Sequence, residues 1–106
     1  MPTKKAPKLT KDDLEGKLQQ EIIKFLKSKG CFVMKTTPGG GVPTGTADIF
    51  FCIDAFYGWI EVKKAKNATH QPGQDQFIQK MDNWSWAKFV NPSNWEEVKA
   101  ELSQML

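Results

Sequence analysis

The stretch Asp48-Ile49-Phe50-Phe51-Cys52-Ile53 constrains this chain more than any other: a carboxylate followed by five apolar residues without a polar interruption. A strand with one wet face alternates polar and apolar residues, so an unbroken apolar run has to be covered on both faces. That places it in the middle of a sheet flanked by helices. Asp54-Ala55-Phe56-Tyr57-Gly58 reads as a short turn, and Trp59-Ile60-Glu61-Val62-Lys63 as the next strand. So short a connection makes the pair an antiparallel hairpin.

The remaining elements arrange themselves around that hairpin. Residues 1–9, rich in lysine and proline, are expected to be a disordered basic tail, and residues 10–106 a single domain. Thr10 reads as an N-cap with Asp13 in the capping-box position. Leu14, Leu18, Ile22, Phe25 and Leu26 follow at helical spacing, and Gly30 stops the helix. Cys31 to Lys35 reads as a strand; Thr36 to Thr46, with four glycines and two prolines, as a loop. After a polar loop over residues 64–71, Pro72 falls in the first turn of a second helix with Phe77, Met81 and Trp84 on one face. Ala87 to Val90 is a short strand. Asn91 and Pro92 open a third helix, whose buried stripe is Trp95, Val98, Leu102 and Leu106. The fold class is α/β, in the order α-β-β-β-α-β-α.

Several functions are excluded by composition. No apolar run approaches the ~20 residues of a membrane span, and no apolar segment follows Met1-Pro2-Thr3-Lys4-Lys5 as in a secretory signal. A cytoplasmic location is expected. Cys31, Cys52 and His70 cannot form a tetrahedral zinc site from one chain, and the two cysteines read as buried thiols. Net charge is +3, but residues 1–35 carry nine lysines against four acidic residues, a balance that suits a polyanionic partner. All fifteen basic residues are lysine, so a bidentate arginine grip on phosphate is impossible.

The chemistry lies on the hairpin. Alternation puts Glu61 and Lys63 on one face of their strand and Val62 on the other. A hairpin folding about Phe56 brings Asp48 opposite Lys63, with Glu61 one diagonal step away. Two adjacent carboxylates repel unless a cation lies between them, and a hard divalent ion such as Mg²⁺ or Mn²⁺ suits oxygen ligands. Lys63 would then steady an attacking water or the charge growing on a phosphate. Glu21, seven residues after Leu14 and three after Leu18, falls on the apolar face of the first helix, where a carboxylate needs a partner. Gln74 shares the inward face of the second helix near an N-terminus that favours phosphate. Lys35, Lys64, Lys66 and His70 are candidate DNA contacts.

Taken together, Gly45-Thr46-Ala47-Asp48, Glu61-Val62-Lys63 and Gln71-Pro72-Gly73-Gln74-Asp75-Gln76-Phe77 resemble the VRR-NUC domain, the virus-type replication-repair branch of the PD-(D/E)XK nuclease superfamily. Glu21, Asp48, Glu61, Lys63 and Gln74 match the family pattern in type and order over roughly residues 14–104. Ala47 stands where the superfamily has a proline. The resemblance implies a mixed sheet of about four strands between helices, and a Mg²⁺- or Mn²⁺-dependent endonuclease acting on branched DNA such as four-way junctions or flaps. It also implies a metal held by Asp48, Glu61, the Val62 carbonyl and Glu21, the last directly or through water. Stand-alone domains of this size resemble homodimeric phage nucleases.

Two other classes compete with this reading: a structure-specific DNA-binding module with little or no catalysis, and a structural protein whose charged strand face is an interface. Absence of DNA binding even at low salt would single out the last. The rings Trp59, Trp84, Trp86 and Trp95, with Phe56 and Tyr57 at the expected hairpin tip, are more aromatic surface than a domain this small readily buries, so a two-fold homodimer through the hairpin is expected.

Overall fold

The structure is a computed structural model and describes residues 11–37 and 41–106, with the side chains of residues 11–13 excluded. The basic tail and the Thr10–Asp13 capping box therefore lie outside the described residues. The elements are α1 (Lys11–Ser28), β1 (Phe32–Lys35), β2 (Ile49–Ile53), β3 (Phe56–Val62), α2 (Gln74–Trp84), β4 (Ala87–Val90) and α3 (Trp95–Met105). The order α-β-β-β-α-β-α is the expected one, and the protein is α/β.

The four strands form one sheet in the order β1-β2-β3-β4. β1–β2 and β2–β3 are antiparallel, while β3–β4 is parallel, so the sheet is mixed. A parallel pair needs a crossover, and α2 supplies it. β2 and β3 are the inner strands, as the apolar run of β2 demands.

On one face Ile49, Phe51, Ile60 and Val62, all fully buried, pack with Leu18, Ile22 and Leu26 of α1 and with Trp95, Val98 and Leu102 of α3. Each such aliphatic side chain contributes about 1.5–3 kcal/mol on burial. The other face is smaller: α2 brings Phe77, Ile78 and Met81 onto Trp59, Ala87 and Phe89. Beyond the reach of α2, the rungs Phe32–Cys52–Tyr57 and Met34–Phe50–Trp59 continue this face toward the sheet edge, where Phe32 is 61% and Met34 46% exposed.

α1 ends as predicted. Gly30 sits at φ 89°, the Cys31 amide donates to the Leu26 carbonyl (3.1 Å), and the Gly30 amide donates to that of Lys27 (3.0 Å), a complete Schellman closure.

The hairpin differs from the expectation. Ile53 pairs with Phe56, leaving Asp54-Ala55 as a two-residue turn, and β3 starts three residues before Trp59. Asp54 takes the left-handed conformation (φ 52°), which a short polar side chain tolerates. Phe56 and Tyr57 are therefore half-buried strand residues, Phe56 packed against the core. Gly58 is not a turn glycine either. It lies opposite Phe51, and a Cβ there would come within 2.6 Å of that ring. Trp86 and Trp95 are buried, Trp59 is half-buried and Trp84 is exposed, and the residues at the tip itself are Asp54 and Ala55. α2 begins at Gln74 behind Gly73 (φ 85°), not at Pro72. α3 begins at Trp95, after a turn in which the Asn91 carboxamide oxygen accepts from the Ser93 (2.8 Å) and Asn94 (3.1 Å) amides. Among the described residues no helix is long and apolar enough to cross a membrane.

Candidate active site

The two-residue turn sets the register, and the register builds the site. Ile49 pairs with Ile60, so the next rung outward sets Asp48 beside Glu61. Asp48 had been expected opposite Lys63. The real register is two residues away, and an even slip keeps the same side chains on the same face. Asp48 Oδ2 accepts the Val62 amide at 2.9 Å, fastening the carboxylate to β3 just past the last ladder pair. In an extended strand the amide and carbonyl of one residue leave on the same side, which turns the Val62 carbonyl toward Asp48 as well. Thr36 holds the Asp48 main chain from the other side: its amide donates to the Asp48 carbonyl (2.7 Å) and its hydroxyl to the Ala47 carbonyl (2.6 Å).

Glu61, Lys63 and Gln74 are all buried, with relative exposures of 3%, 8% and 7%. Charged and amide groups so deep need partners. The Lys63 ammonium donates to Gln74 Oε1 at 2.6 Å and to the Thr69 carbonyl at 3.3 Å, and lies 3.7 Å from Glu61 Oε2. Gln74 Oε1 also accepts the Gln71 amide at 2.9 Å. Glu61 Oε1 is buried and has no hydrogen-bond partner among the described residues. Burial, reinforced by the neighbouring Asp48 charge and opposed by Lys63, pushes the Glu61 carboxyl up to about 8; a hydrogen bond to Asp48 and the charge of Glu15 push the same way.

These groups open onto a cavity of about 660 Å³ whose walls include Glu15, Lys64 and the loop Val42 to Thr46. The loop meets the start of α2 backbone to backbone. A Cβ on Gly45 would fall 2.8 Å from the Gly73 carbonyl carbon, and Gly45 itself sits at φ 91°. Only glycine fits there.

Asp48, Glu61, Lys63 and Gln74 thus converge, with the main chain of Val62 beside them. Glu21 does not join them. It is exposed and lines a separate hollow with Lys17, Trp95 and Glu96. A helical phase that starts from Leu14 turns Glu21 inward, but Leu14 is 43% exposed and the buried stripe is Leu18, Ile22 and Leu26. Counting back seven residues from Ile22 finds Glu15, the α1 carboxylate that reaches the cavity and that sequence reasoning missed. Lys64 is exposed on the cavity wall; Lys35 and Lys66 are exposed outside it. His70 is not a wall residue. Its ring stacks on Phe89 (centroids 4.2 Å, planes 20° apart), and its Nδ1 lies 2.6 Å from Asp75 Oδ1. Among the described residues no group of three or more His, Cys, Asp or Glu side chains is gathered as a metal site.

The chemistry of this donor set is nonetheless specific. Two carboxyls abut, one of them with a buried oxygen that no N–H donor among the described residues reaches, and a cation lies on the flank. Such a pair takes up either a proton or a hard divalent ion. Compared with known protein families, curated proteins and solved structures, the chain matches none.

Proposed function

We propose that this chain is a metal-dependent DNA endonuclease of the PD-(D/E)XK kind, similar to VRR-NUC domains, hydrolysing phosphodiester bonds in branched DNA. One observation carries the reading: the abutting Asp48–Glu61 carboxyls, with a buried oxygen that no N–H donor among the described residues reaches, beside a lysine that is itself held by Gln74. A structural ion pair has no use for two abutting carboxyls, one of them pushed well above the usual carboxylate range by burial.

Asp48, Glu61 and the Val62 carbonyl are the groups that would hold Mg²⁺ or Mn²⁺, with Glu15 rather than Glu21 as the α1 carboxylate nearby. When bound, the ion supplies Lewis acidity at the phosphate and lowers the pKa of a coordinated water. The protein's own part is positional. Lys63 offers a buried ammonium on the same strand face as Glu61, placed to hold the attacking water or the charge that grows on the phosphate. Gln74 keeps that ammonium aimed. Lys64 and the N-terminus of α2 present positive potential to the backbone of the DNA. A homodimer remains part of the proposal, with its contact moved from the hairpin tip to β1, whose open edge and exposed Phe32 and Met34 are what a second copy would cover.

The deciding experiment uses labelled linear duplex, flap, splayed-arm and four-way-junction DNA, each with Mg²⁺, Mn²⁺ or EDTA. Metal-dependent cutting of a branched substrate supports the proposal. Undiminished cutting by metal-stripped protein in EDTA, or no cutting under any condition, overturns it.

A further inference from the structure

The connection from β3 to α2 and the first residue of α2 carry two of the oxygens that hold Lys63, the Thr69 carbonyl and Gln74 Oε1. It belongs to no ladder. Its local hydrogen bonds, Ala68 amide to Ala65 carbonyl (3.2 Å), Gln74 amide to Gln71 carbonyl (3.1 Å) and Gln71 amide to Gln74 Oε1 (2.9 Å), fix the shape of its turns but not its place on the sheet. His70 lies between Thr69 and Gln71, and its side chain turns away from the cavity onto the sheet. There it stacks flat on Phe89 at 4.2 Å, and Phe89 is paired in register with Glu61. An ionised carboxylate only accepts, so His70 Nδ1 donates to Asp75 Oδ1 at 2.6 Å, tying the ring to the first turn of α2. The imidazole thus joins three parts: the turn that grips Lys63, the helix that carries Gln74, and the rung that carries Glu61.

We infer that His70 is a positioning residue for Lys63: clamped between Phe89 and Asp75, it sets where Thr69 and Gln74 present their oxygens to the ammonium. The inference rests on the nuclease reading only for its kinetic readout. A merely exposed loop histidine would be dispensable, and one touching DNA would act on binding. A clamp acts on the placement of the lysine, and displacing a charged group from its productive geometry costs turnover more than affinity.

Two measurements on His70→Ala and His70→Phe test this, with thermal unfolding as the folding control. The first is the rate at which an amine-selective acetylating reagent modifies Lys63 in the DNA-free protein, read by mass spectrometry against exposed Lys80. The second is kcat and KM on whichever DNA the unaltered protein cuts. For His70→Ala, Lys63 modification is expected to rise while Lys80 is unchanged. Its kcat is expected to fall roughly 10–100-fold, the cost typical of losing an outer supporting contact, with KM unchanged. His70→Phe keeps the stack on Phe89 and is expected to recover most of both.

Lys63 reactivity equal to that of the unaltered protein overturns the inference. So does a raised KM with unchanged kcat, which would make His70 a phosphate contact. A general rise in the labelling of every lysine with loss of the unfolding transition in both variants also overturns it, because His70 would then hold the fold and not the lysine. If the unaltered protein cuts no DNA, the nuclease reading fails and the labelling measurement alone decides the clamp.

Discussion

Asp48 and Glu61 face each other one step beyond the last rung of the β2–β3 hairpin, and the Val62 amide that Asp48 accepts keeps them there. An amide in place of either carboxyl removes a group that can hold the ion or the shared proton, and leaves the ladder undisturbed. Asp48→Asn and Glu61→Gln are therefore expected to abolish cleavage while folding normally and binding DNA as well or better. Cleavage at the unaltered rate by either variant would strip that residue of its proposed role.

The raised Glu61 carboxyl makes stability depend on pH. Its folded value, about 8, lies above the ordinary carboxyl value of 4.5. The folded state therefore holds a proton that the unfolded chain releases. The contribution is fully present below about 4.5, declines as pH rises and is lost through about 8. Thermal unfolding between pH 5 and 9 is expected to show this decline, and Glu61→Gln to flatten it. Mn²⁺ is expected to raise the melting temperature at pH 8, and Asp48→Asn to cancel that rise. A pH profile identical in Glu61→Gln would place the buried proton elsewhere.

Lys63→Ala tests the cation. Loss of one electrostatic donor from a reacting centre typically lowers turnover by ~10²–10³. The same range is expected here, with metal affinity unchanged or increased, since the ammonium opposes a bound cation. A metal titration of this variant by calorimetry checks the second half; lost affinity with normal turnover at saturating metal would contradict the role.

Phe32 and Met34 lie on the open edge of the sheet beyond the cover of α2. If a second copy covers them, sedimentation of the unaltered protein at micromolar concentration shows a dimer, and Phe32→Lys with Met34→Lys returns it to a monomer. A monomer at every concentration without DNA would remove the dimer from the proposal.

Much of the fold was legible because β2 is apolar throughout, which forces it inside the sheet and fixes the order of what surrounds it. The hairpin turn was not legible. Phe56-Tyr57-Gly58 resembles a loop in composition, and only the pairing partner shows that Gly58 makes room for the Phe51 ring. Glu15 was hidden for a related reason. Helical spacing fixes relative angles, and choosing the stripe depends on knowing that Leu14 is exposed and Ile22 is not. Lys63 and Gln74 could be named from their order. The 2.6 Å contact between them could not, because the chain from residue 64 to 73 has no periodicity to read and is placed by tertiary contacts, the stacked His70 ring and the Gly45–Gly73 approach among them.

The sheet is mixed, and its two kinds of pairing divide the site in time. β2 and β3 are joined by two residues, so Asp48 and Glu61 meet as soon as a local hairpin closes, an event of microseconds. Lys63 receives Gln74 only once α2 has formed and β4 has docked in parallel against β3, a longer loop closure and a slower contact. The chain therefore acquires its acidic pair, with Lys63 already beside Glu61 just past the end of the same strand, before Gln74 arrives to hold the ammonium. A folding intermediate that stops between the two would carry the pair and its lysine without the amide that fixes the lysine in place.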